Sequence, residues 1–196
     1  MYDPLNYKFS DLNRLEPKKG RILISDPFLP DPYFKRSVVL LVNHDEEGSL
    51  GFILNKTVEI NLNDTELNIN DQEHKMYFGG PVQSSDLFYI HKLGSEIEGS
   101  TVIKDGIFWG GSFAEIEEKL KTGGISESDI RFFIGYSGWE SKQLEKEIKE
   151  DSWLVIDSNL EDILEANSED LWKNILREME GRLSVLASFP EDPNLN

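Results

Sequence analysis

One serine motif and three histidines are the residues of this chain whose types could support hydrolysis. The motif, Gly135-Tyr-Ser137-Gly-Trp139, resembles the G-x-S-x-G elbow that presents a nucleophilic serine between a strand and a helix. Trp139 stands where that template requires glycine, and a bulky indole does not fit the tight turn. We therefore interpret the segment as a strand-to-helix corner in which Ser137 makes a structural polar contact.

The histidines offer less support for catalysis. His44 and His91 each end a predicted strand, and Asp45 follows His44. A serine-hydrolase relay needs a histidine beside a hydroxyl and a carboxylate, and the two strand ends could converge to supply them. The alternative, which we favour, is that each ring satisfies local backbone groups. His74 lies in a polar segment and is expected to be solvated.

Sequence templates for metals, phosphates and thiol chemistry are missing. Neither an H-E-x-x-H pair nor the phosphate-binding patterns G-x-x-x-x-G-K-[ST] and G-x-G-x-x-G occur. The Asn- and Asp-rich stretch 61–71 lacks the glycine and the final glutamate of a calcium loop. Because the chain contains no cysteine, disulfides and thiolate centres are excluded. The sequence thus predicts no metal, no cofactor and no catalytic residue that matches a template, and it leaves enzymatic activity open.

Short apolar runs bounded by turn residues predict the elements that position these side chains. Strands dominate the first half of the chain, whereas strands and helices mix in the second half. This pattern predicts an α+β fold, a single compact domain with a mixed, largely antiparallel sheet and a few flanking helices. The predicted strands are 21–25, 37–43, 50–54, 87–91, 100–103, 107–109, 131–136 and 153–156.

Polar and glycine signals predict where the helices begin and end. Ser112 and Glu115 form an S-x-x-E capping box for the first clear helix. A second helix begins near Ser141, and Ser168 caps a final helix that stops at Gly181. The remaining predictions concern connecting and terminal segments: a linking stretch with at most one helical turn at 57–74, a short helical turn at 160–164, a loosely ordered arm at 1–19, the domain itself at 20–187 and a tail at 188–196.

The charge of the chain bears on its partners. The 196 residues include 37 acidic and 20 basic side chains, a net charge of −17, and residues 101–196 hold 21 of the acidic ones. Such a field repels nucleic-acid phosphates, so direct nucleic-acid binding is not expected. The apolar run Val38–Val42 is far shorter than the roughly 20 residues of a membrane span. No secretory signal is visible, so the predicted location is the cytoplasm.

Four blocks of sequence together resemble the YqgE/AlgH family of bacterial proteins. They are GRILISDPFLPDPYFKRSVVLLVNHDEEGSLGFILNK from Gly20, YFGGPVQSSDLFYIH from Tyr77, FFIGYSGWESKQLEKEIKEDSWLVID from Phe132 and the closing SEDLWKNILREMEG. The resemblance implies a single α+β domain and very little biochemistry. Family members are often labelled transcriptional regulators, from a genetic association with alginate control and not from a recognised DNA-binding domain.

The family motifs supply the candidate ligand- or partner-binding residues of this chain. Where many members carry glycine before the Gln-Leu-Glu triplet, this chain has Lys142, which argues against a glycine-lined phosphate nest. A thiol-based redox role proposed by analogy with cysteine-bearing members cannot apply, because this chain has no cysteine. The candidates are Asp31, Arg36, Ser37, His44, Asn55, Gly79, Gly80, Tyr136, Trp139, Gln143 and Glu145.

Two functions compete for these residues. The first is a regulatory or interaction module that acts through an unidentified protein partner. The second is a small-molecule-binding protein or enzyme that uses one polar cleft around Arg36, His44, Gln143 and Glu145. A structural role is the alternative to that cleft, with Arg36 paired to Glu145 or Asp31 to pin the proline-rich loop. The oligomeric state is left open.

Overall fold

A mixed sheet forms the centre of the molecule. The computed structural model describes residues 8–62, 74–166, 168–179 and 182–189. The strands are β1 Ile22–Ser25, β2 Val38–Asp45, β3 Gly48–Ile53, β4 Thr57–Asn61, β5 Lys75–Phe78, β6 Val82–His91, β7 Thr101–Lys104, β8 Ile107–Trp109, β9 Ile130–Glu140 and β10 Trp153–Ile156. The described strands join in the order β10-β1-β2-β3-β9-β6-β8-β7, with β5 beside β9 and β4 beside β5.

Strands β1 and β2 are buried because both faces of the sheet are covered there. All four residues of β1 and the first five of β2 are buried, which explains their continuous apolar sequence. Alternate side chains enter different clusters: Ile24 and Leu40 pack with the helices that end the chain, whereas Leu23 and Leu41 pack with Trp139 on the other face. The core therefore lies on both sides of the central strands.

Strand β9 joins two parts of the sheet. Its early residues pair in parallel with β5, and its late residues pair antiparallel with β3. Along its other edge β9 pairs antiparallel with β6, and the register shifts between Val82 and Leu87. Among the pairs of described strands, only β5 and β9 run parallel to each other. These pairings confirm the predicted α+β fold with a mixed, largely antiparallel sheet.

Six short α-helices flank the sheet in the described residues. They are α1 Phe9–Leu12, α2 Phe113–Lys121, α3 Gln143–Lys149, α4 Leu160–Glu165, α5 Leu171–Glu178 and α6 Arg182–Leu186. In α3 the residue before the first turn, Lys142, adopts φ +61°, so the helix begins two residues after the predicted Ser141. In α5 the N-cap is Asp170 and not Ser168.

Several local expectations were wrong. Residues 57–61 form β4, where a linking segment was expected; residues 63–73 lie outside the described part of the chain, as does Gly181. Neither half of the predicted capping box forms: Ser112 makes no side-chain cap bond, and the Glu115 carboxylate accepts the amide of Glu98 at 2.9 Å. His74, expected to be solvated, is only 4% exposed.

The predicted domain boundaries, after residue 19 and after residue 187, stay predictions. Within residues 8–19, Phe9 is fully buried, and the Asn13 side chain donates to the carbonyl of Trp153 at 2.9 Å and accepts the amide of Val155 at 2.7 Å. These contacts hold the described part of the arm against the edge strand β10. Residues 1–7 and 190–196 lie outside the described residues. No described helix is long and apolar enough to cross a membrane.

Candidate functional site

The sheet separates the candidate residues into two groups. Arg36 and Ser37 precede β2, whereas His44 lies near its far end. The seven rises between the first and the last residue of β2, at about 3.3 Å each, span roughly 23 Å. Because β3 runs antiparallel to β2, Asn55 returns to the Arg36 end. The single polar cleft around Arg36, His44, Gln143 and Glu145 is therefore not formed.

At the first end, polar side chains hold the proline-rich loop Asp26–Lys35. The Asp31 carboxylate accepts the amides of Tyr33 at 2.7 Å and Phe34 at 3.2 Å. The carbonyl of Tyr33 accepts hydrogen bonds from Ser37 Oγ at 3.3 Å and from Lys56 Nζ at 2.7 Å. Satisfying backbone groups in this way fixes an irregular segment that has no strand partner.

Arg36 and Asn55 fasten the same loop to the body of the domain. The Asn55 side chain accepts the amide of Val38 at 2.8 Å and donates to the carbonyl of Arg36 at 2.9 Å. Arg36 has a φ of +51° and is 7% exposed. Its guanidinium donates to the carbonyl of Phe189 at 2.7 Å and lies 5.1 Å from the ring centre of Trp172. Arg36 thus joins the loop to α5 and to the segment after α6; the alternative pairing with Glu145 was wrong.

The loop held in this way presents two aromatic rings to solvent. Phe28 and Tyr33 are each 51% exposed. Phe28 packs edge-on against Phe189 at 5.8 Å, and Tyr33 stacks on Phe78 at 5.9 Å. Because each ring rests on another aromatic ring, its position is defined although its outer face is open.

A cationic cavity of about 330 Å³ lies next to these rings. Four of its lining residues are basic and one is acidic, on a chain whose net charge is −17. Pro32, Asn55 and Trp172 complete the wall. The charged lining residues are Lys35, Arg36, Lys56, Lys173 and Glu169. We call Phe28, Tyr33 and the three lysines of this cavity the proline-loop surface.

At the opposite end, His44 lies between a hydroxyl and a carboxylate. Its Nδ1 is 2.8 Å from Ser49 Oγ, and its Nε2 is 3.9 Å from the Glu145 carboxylate. The residue types are those of a hydrolase relay, but the carboxylate is beyond hydrogen-bond distance and the serine is only 9% exposed. The ring therefore joins the two strands of the β2–β3 hairpin through Ser49 and faces α3 without a hydrogen bond to Glu145. Ser49 was not singled out from the sequence.

Trp139 belongs to an aromatic cluster whose indole N–H groups donate to one glutamate. The sequence patterns did not point to this glutamate. One oxygen of Glu147 accepts the indole N–H of Trp139 at 2.9 Å and that of Trp153 at 2.8 Å. Its other oxygen accepts the side-chain amide of Gln143 at 2.9 Å. The two indoles meet edge-on at 5.8 Å, and Phe34 of the proline-rich loop stacks on Trp139 at 6.0 Å.

Gly79 and Gly80 permit a close crossing of two backbones. A Cβ on Gly79 would lie 2.2 Å from the carbonyl oxygen of Gly135, and one on Gly80 would lie 2.3 Å from Tyr136. Ser137, buried in the middle of β9, donates to the carbonyl of Gly79 at 2.9 Å. The predicted strand-to-helix corner at Ser137 was therefore wrong, because β9 continues to Glu140. Tyr136 packs edge-on against Phe88 at 5.5 Å.

A second cavity, of about 660 Å³, contains none of the candidate residues. Lysine, arginine and acidic side chains line it together with buried His91. Burial lowers the pKa of His91 below its ordinary value. Its Nδ1 faces the amide of Leu93 at 3.3 Å and its Nε2 the carbonyl of Gly110 at 3.1 Å. A neutral ring that accepts at Nδ1 and donates at Nε2 satisfies both groups. In the described residues, no group of three His, Asp or Glu side chains is placed to hold a metal ion.

Solved structures share this architecture. A Corynebacterium diphtheriae protein superposes with a TM-score of 0.76 at 23% identity, covering 92% of this chain and 97% of that one. The solution structure of the AlgH protein from Pseudomonas aeruginosa gives a TM-score of 0.69 at 24% identity, covering 97% and 98%. The sheet and its flanking helices thus define a single-domain α+β protein with an AlgH-like fold.

Sequence relatives extend this likeness from fold to family. A family model described as AlgH-like matches residues 22–184. UPF0301 proteins of Cytophaga hutchinsonii and Bacteroides thetaiotaomicron are each 41% identical to this chain, over 179 and 185 residues. These alignments cover 91% and 94% of this chain and 98% and 94% of the two relatives. The chain belongs to the AlgH-like family, which confirms the resemblance given by its motifs.

Proposed function

We propose that the protein is a regulatory module that acts on transcription through a protein partner and not by binding DNA itself. The partner docks on the proline-loop surface through a segment that carries aliphatic or aromatic side chains and carboxylates. The regulatory part of this proposal rests on the label that the YqgE/AlgH resemblance brings. The docking part rests on the surface itself.

The observation that carries the docking proposal is the pair of half-exposed rings on a well-anchored loop. Phe28 and Tyr33 each expose 51% of their surface, and aromatic rings are enriched where proteins bind one another. Asp31, Ser37 and Asn55 are occupied with backbone groups that position this loop. This use of the motif residues favours a rigid, presented surface over a reactive centre.

Charge gives the surface its selectivity. Lys35, Lys56 and Lys173 line the cavity beside the proline-rich loop, on a chain of net charge −17. A cationic patch on an anionic body attracts an acidic protein segment locally, while the overall field repels a long polyanion such as DNA. The expected partner is therefore a protein that presents a short acidic segment, not one that is acidic throughout.

Capture with paired variants tests this function. The wild-type chain, a Phe28→Ser/Tyr33→Ser double variant and a Val102→Ser control serve as baits in a lysate of a bacterium that encodes the protein. Val102 is 50% exposed but lies on β7, at the far edge of the sheet. We expect one protein with such a segment to bind the wild type and the control, and to be lost both from the Phe28→Ser/Tyr33→Ser variant and from a Lys35→Glu/Lys173→Glu variant.

Transcript profiles provide the regulatory readout. Deletion of the captured protein and replacement of this chain by its double variant are expected to change the same transcripts. Retention of the same captured proteins by the double variant would refute the docking site. Retardation of DNA by the purified chain at about 50 mM salt, where phosphate contacts are strong, would refute the indirect mode of action.

A further inference from the structure

The 660 Å³ cavity has the size and the lining of a small-molecule site. Its volume falls within the roughly 300–1,000 Å³ that such sites occupy. It opens between the end of α4 and the strands β5, β6 and β9. Tyr77, Ile90, Ile107 and Leu164 give it apolar walls, and Arg131 gives it a buried positive charge.

The Arg131 guanidinium has no carboxylate partner among the described residues. Its nitrogens donate to the carbonyls of Leu54 at 3.3 Å and of Leu164, and its carbon lies 4.4 Å from the ring centre of Tyr77. These bonds use two of the five N–H donors of a guanidinium. Burial lowers the pKa of Arg131, and the charge of Glu127 opposes that shift only in part. An arginine stays protonated in spite of such a shift, so the cavity carries a desolvated cation.

Two other charged groups at the cavity, Lys92 and Asp129, are engaged by neighbouring residues. Lys92 lies 3.0 Å from Glu161 and 3.5 Å from Glu165, and these bonds raise the pKa of Lys92. The Asp129 carboxylate accepts the amide and the hydroxyl of Ser126, which lower its pKa. Arg131 is therefore the buried cation of this cavity, and three of its five N–H donors are not used by the bonds described above.

We propose that this cavity binds a small organic monocarboxylate with an apolar body. The carboxylate pairs with the remaining donors of Arg131, and the body lies against Ile90, Ile107 and Leu164. A planar carboxylate matches the fork of a guanidinium with two parallel hydrogen bonds. This cavity shares no lining residue with the 330 Å³ cavity of the proline-loop surface, and the proposal does not depend on the docking function.

The acidic lining distinguishes a monocarboxylate from a phosphate ester. Glu127, Asp129 and Glu165 all border the cavity, and their negative charges oppose a dianion more strongly than a monoanion. A neutral ligand, in turn, leaves the buried guanidinium without a counter-charge. A single negative charge on an apolar body therefore fits this lining best.

Titration with three matched probes tests the charge requirement. Phenylacetate, phenylacetamide and phenyl phosphate are added in turn to the full ¹⁵N-labelled chain, and the amide shifts of Ile130 and Arg131 are followed. We expect phenylacetate to bind with a Kd of about 1 mM or below. We expect phenylacetamide to bind at least about tenfold more weakly and phenyl phosphate more weakly than phenylacetate.

Variants then assign the binding to Arg131. Arg131→Met is expected to weaken phenylacetate binding at least about tenfold, whereas Arg177→Met, at an exposed arginine on α5, leaves it unchanged. Two exposed lining residues keep the test valid if Arg131→Met fails to fold. Lys75→Gln is expected to weaken binding about threefold and Glu127→Gln to strengthen it about threefold, because each changes one charge near the carboxylate.

Each of three results would overturn one part of this proposal. Equal binding of phenylacetate and phenylacetamide, or unchanged binding by a folded Arg131→Met variant, would overturn the role of Arg131. Absence of shifts at the cavity amides with excess phenylacetate would overturn the site itself. Tighter binding of phenyl phosphate than of phenylacetate would overturn the preference for a monoanion.

Discussion

Glu147 illustrates how a single side chain organises one end of this protein. Its carboxylate receives hydrogen bonds from the indoles of Trp139 and Trp153 and from the side chain of Gln143. The first indole lies on β9 and the second on β10, so the glutamate joins two strands that are not neighbours in the sheet. The Trp139 and Gln143 positions of the family motif therefore meet at a structural anchor.

Replacing Glu147 by alanine is expected to destabilise the fold. The substitution leaves two partly buried indole N–H groups without an acceptor, and each such group costs about 1–3 kcal/mol. We expect the free energy of unfolding to fall by about 2–4 kcal/mol, measured by urea denaturation with tryptophan fluorescence.

Glu150→Ala is the control for this prediction. Glu150 lies just beyond the same helix and pairs with Lys146 at 3.7 Å in an exposed position, so its loss should cost below about 0.5 kcal/mol. Similar losses for the two variants would contradict the anchoring role of Glu147.

At the residue scale, sequence patterns identified candidate residues but not the side chains that form hydrogen bonds with them. The motif pointed to Trp139 and Gln143, yet Glu147, which accepts hydrogen bonds from both, matches no chemical template. Nor does Trp153, whose ring meets that of Trp139 edge-on. Likewise, the histidine-and-serine contact at His44 depends on the pairing of His44 with Ser49 across the β2–β3 hairpin. Periodicity indicates which face a residue occupies, whereas a hydrogen bond between elements depends on register and on the rotamer.

At the scale of elements, β9 depends on glycines at the point where its partner changes. Its neighbour on one edge is β5 up to Ile134 and β3 from Ser137 onward. Gly135, with a φ of +67°, lies in the gap, and a Cβ there would lie 2.4 Å from the carbonyl oxygen of Gly80. The Gly79-Gly80 crossing and Gly135 thus form one close backbone contact.

A pair of glycine substitutions separates backbone strain from crowding. Gly110 has a φ of +66°, and a Cβ added there would meet nothing within 4 Å, whereas Gly135, at +67°, is enclosed by backbone. Gly110→Ala should cost about 1–2 kcal/mol from the left-handed conformation alone. Gly135→Ala should cost a further 1–3 kcal/mol, roughly, because it overpacks against backbone that cannot move aside.

Urea unfolding of the two glycine variants checks this difference. Equal stabilities would show that the crossing has room for a methyl group and would contradict its role in holding β5 and β6 at β9. A Gly135→Ala variant that does not fold agrees with the prediction when Gly110→Ala folds normally.

The buried strands were predictable, and the exposed and bent elements were not. The apolar runs of β1 and β2 are buried on both faces, so sequence and burial agree closely. Strand β4, TVEIN, is polar and pairs only with β5 among the described strands, so it has no apolar run to reveal it. The predicted capping box failed because Glu115 found a tertiary partner in the amide of Glu98.

At the scale of the molecule, the sheet holds two of the three surfaces at opposite ends. The proline-loop surface lies at one end of β2 and the His44 contact at the other, whereas the 660 Å³ cavity lies near the first end, because its Arg131 donates to the carbonyl of Leu54, next to Asn55 of the 330 Å³ cavity. The family motifs predicted the residues around the first two surfaces. They did not predict the cavity, whose lining comes from short segments of several elements and carries none of the motif residues.

The net charge of −17 leads to a prediction about the whole chain. Like charges repel in the compact state, and salt screens this repulsion. Salt also weakens surface ion pairs such as Lys119–Glu96, but each exposed pair contributes at most about 1 kcal/mol. Because the excess of like charges outweighs these few pairs, we expect salt to stabilise the fold.

Thermal unfolding in about 10 mM and about 300 mM NaCl measures the effect of this screening. A gain of about 1 kcal/mol raises the Tm of a domain of this size by about 2–4 °C, and we expect at least that rise. The matched control replaces four exposed acids by glutamine, which reduces the net charge and should reduce the rise in Tm. These acids are Glu59, Glu118, Glu140 and Glu178. A Tm that falls with salt, or a rise that the control variant leaves unchanged, would show that local ion pairs and not the net charge govern the electrostatic stability of this protein.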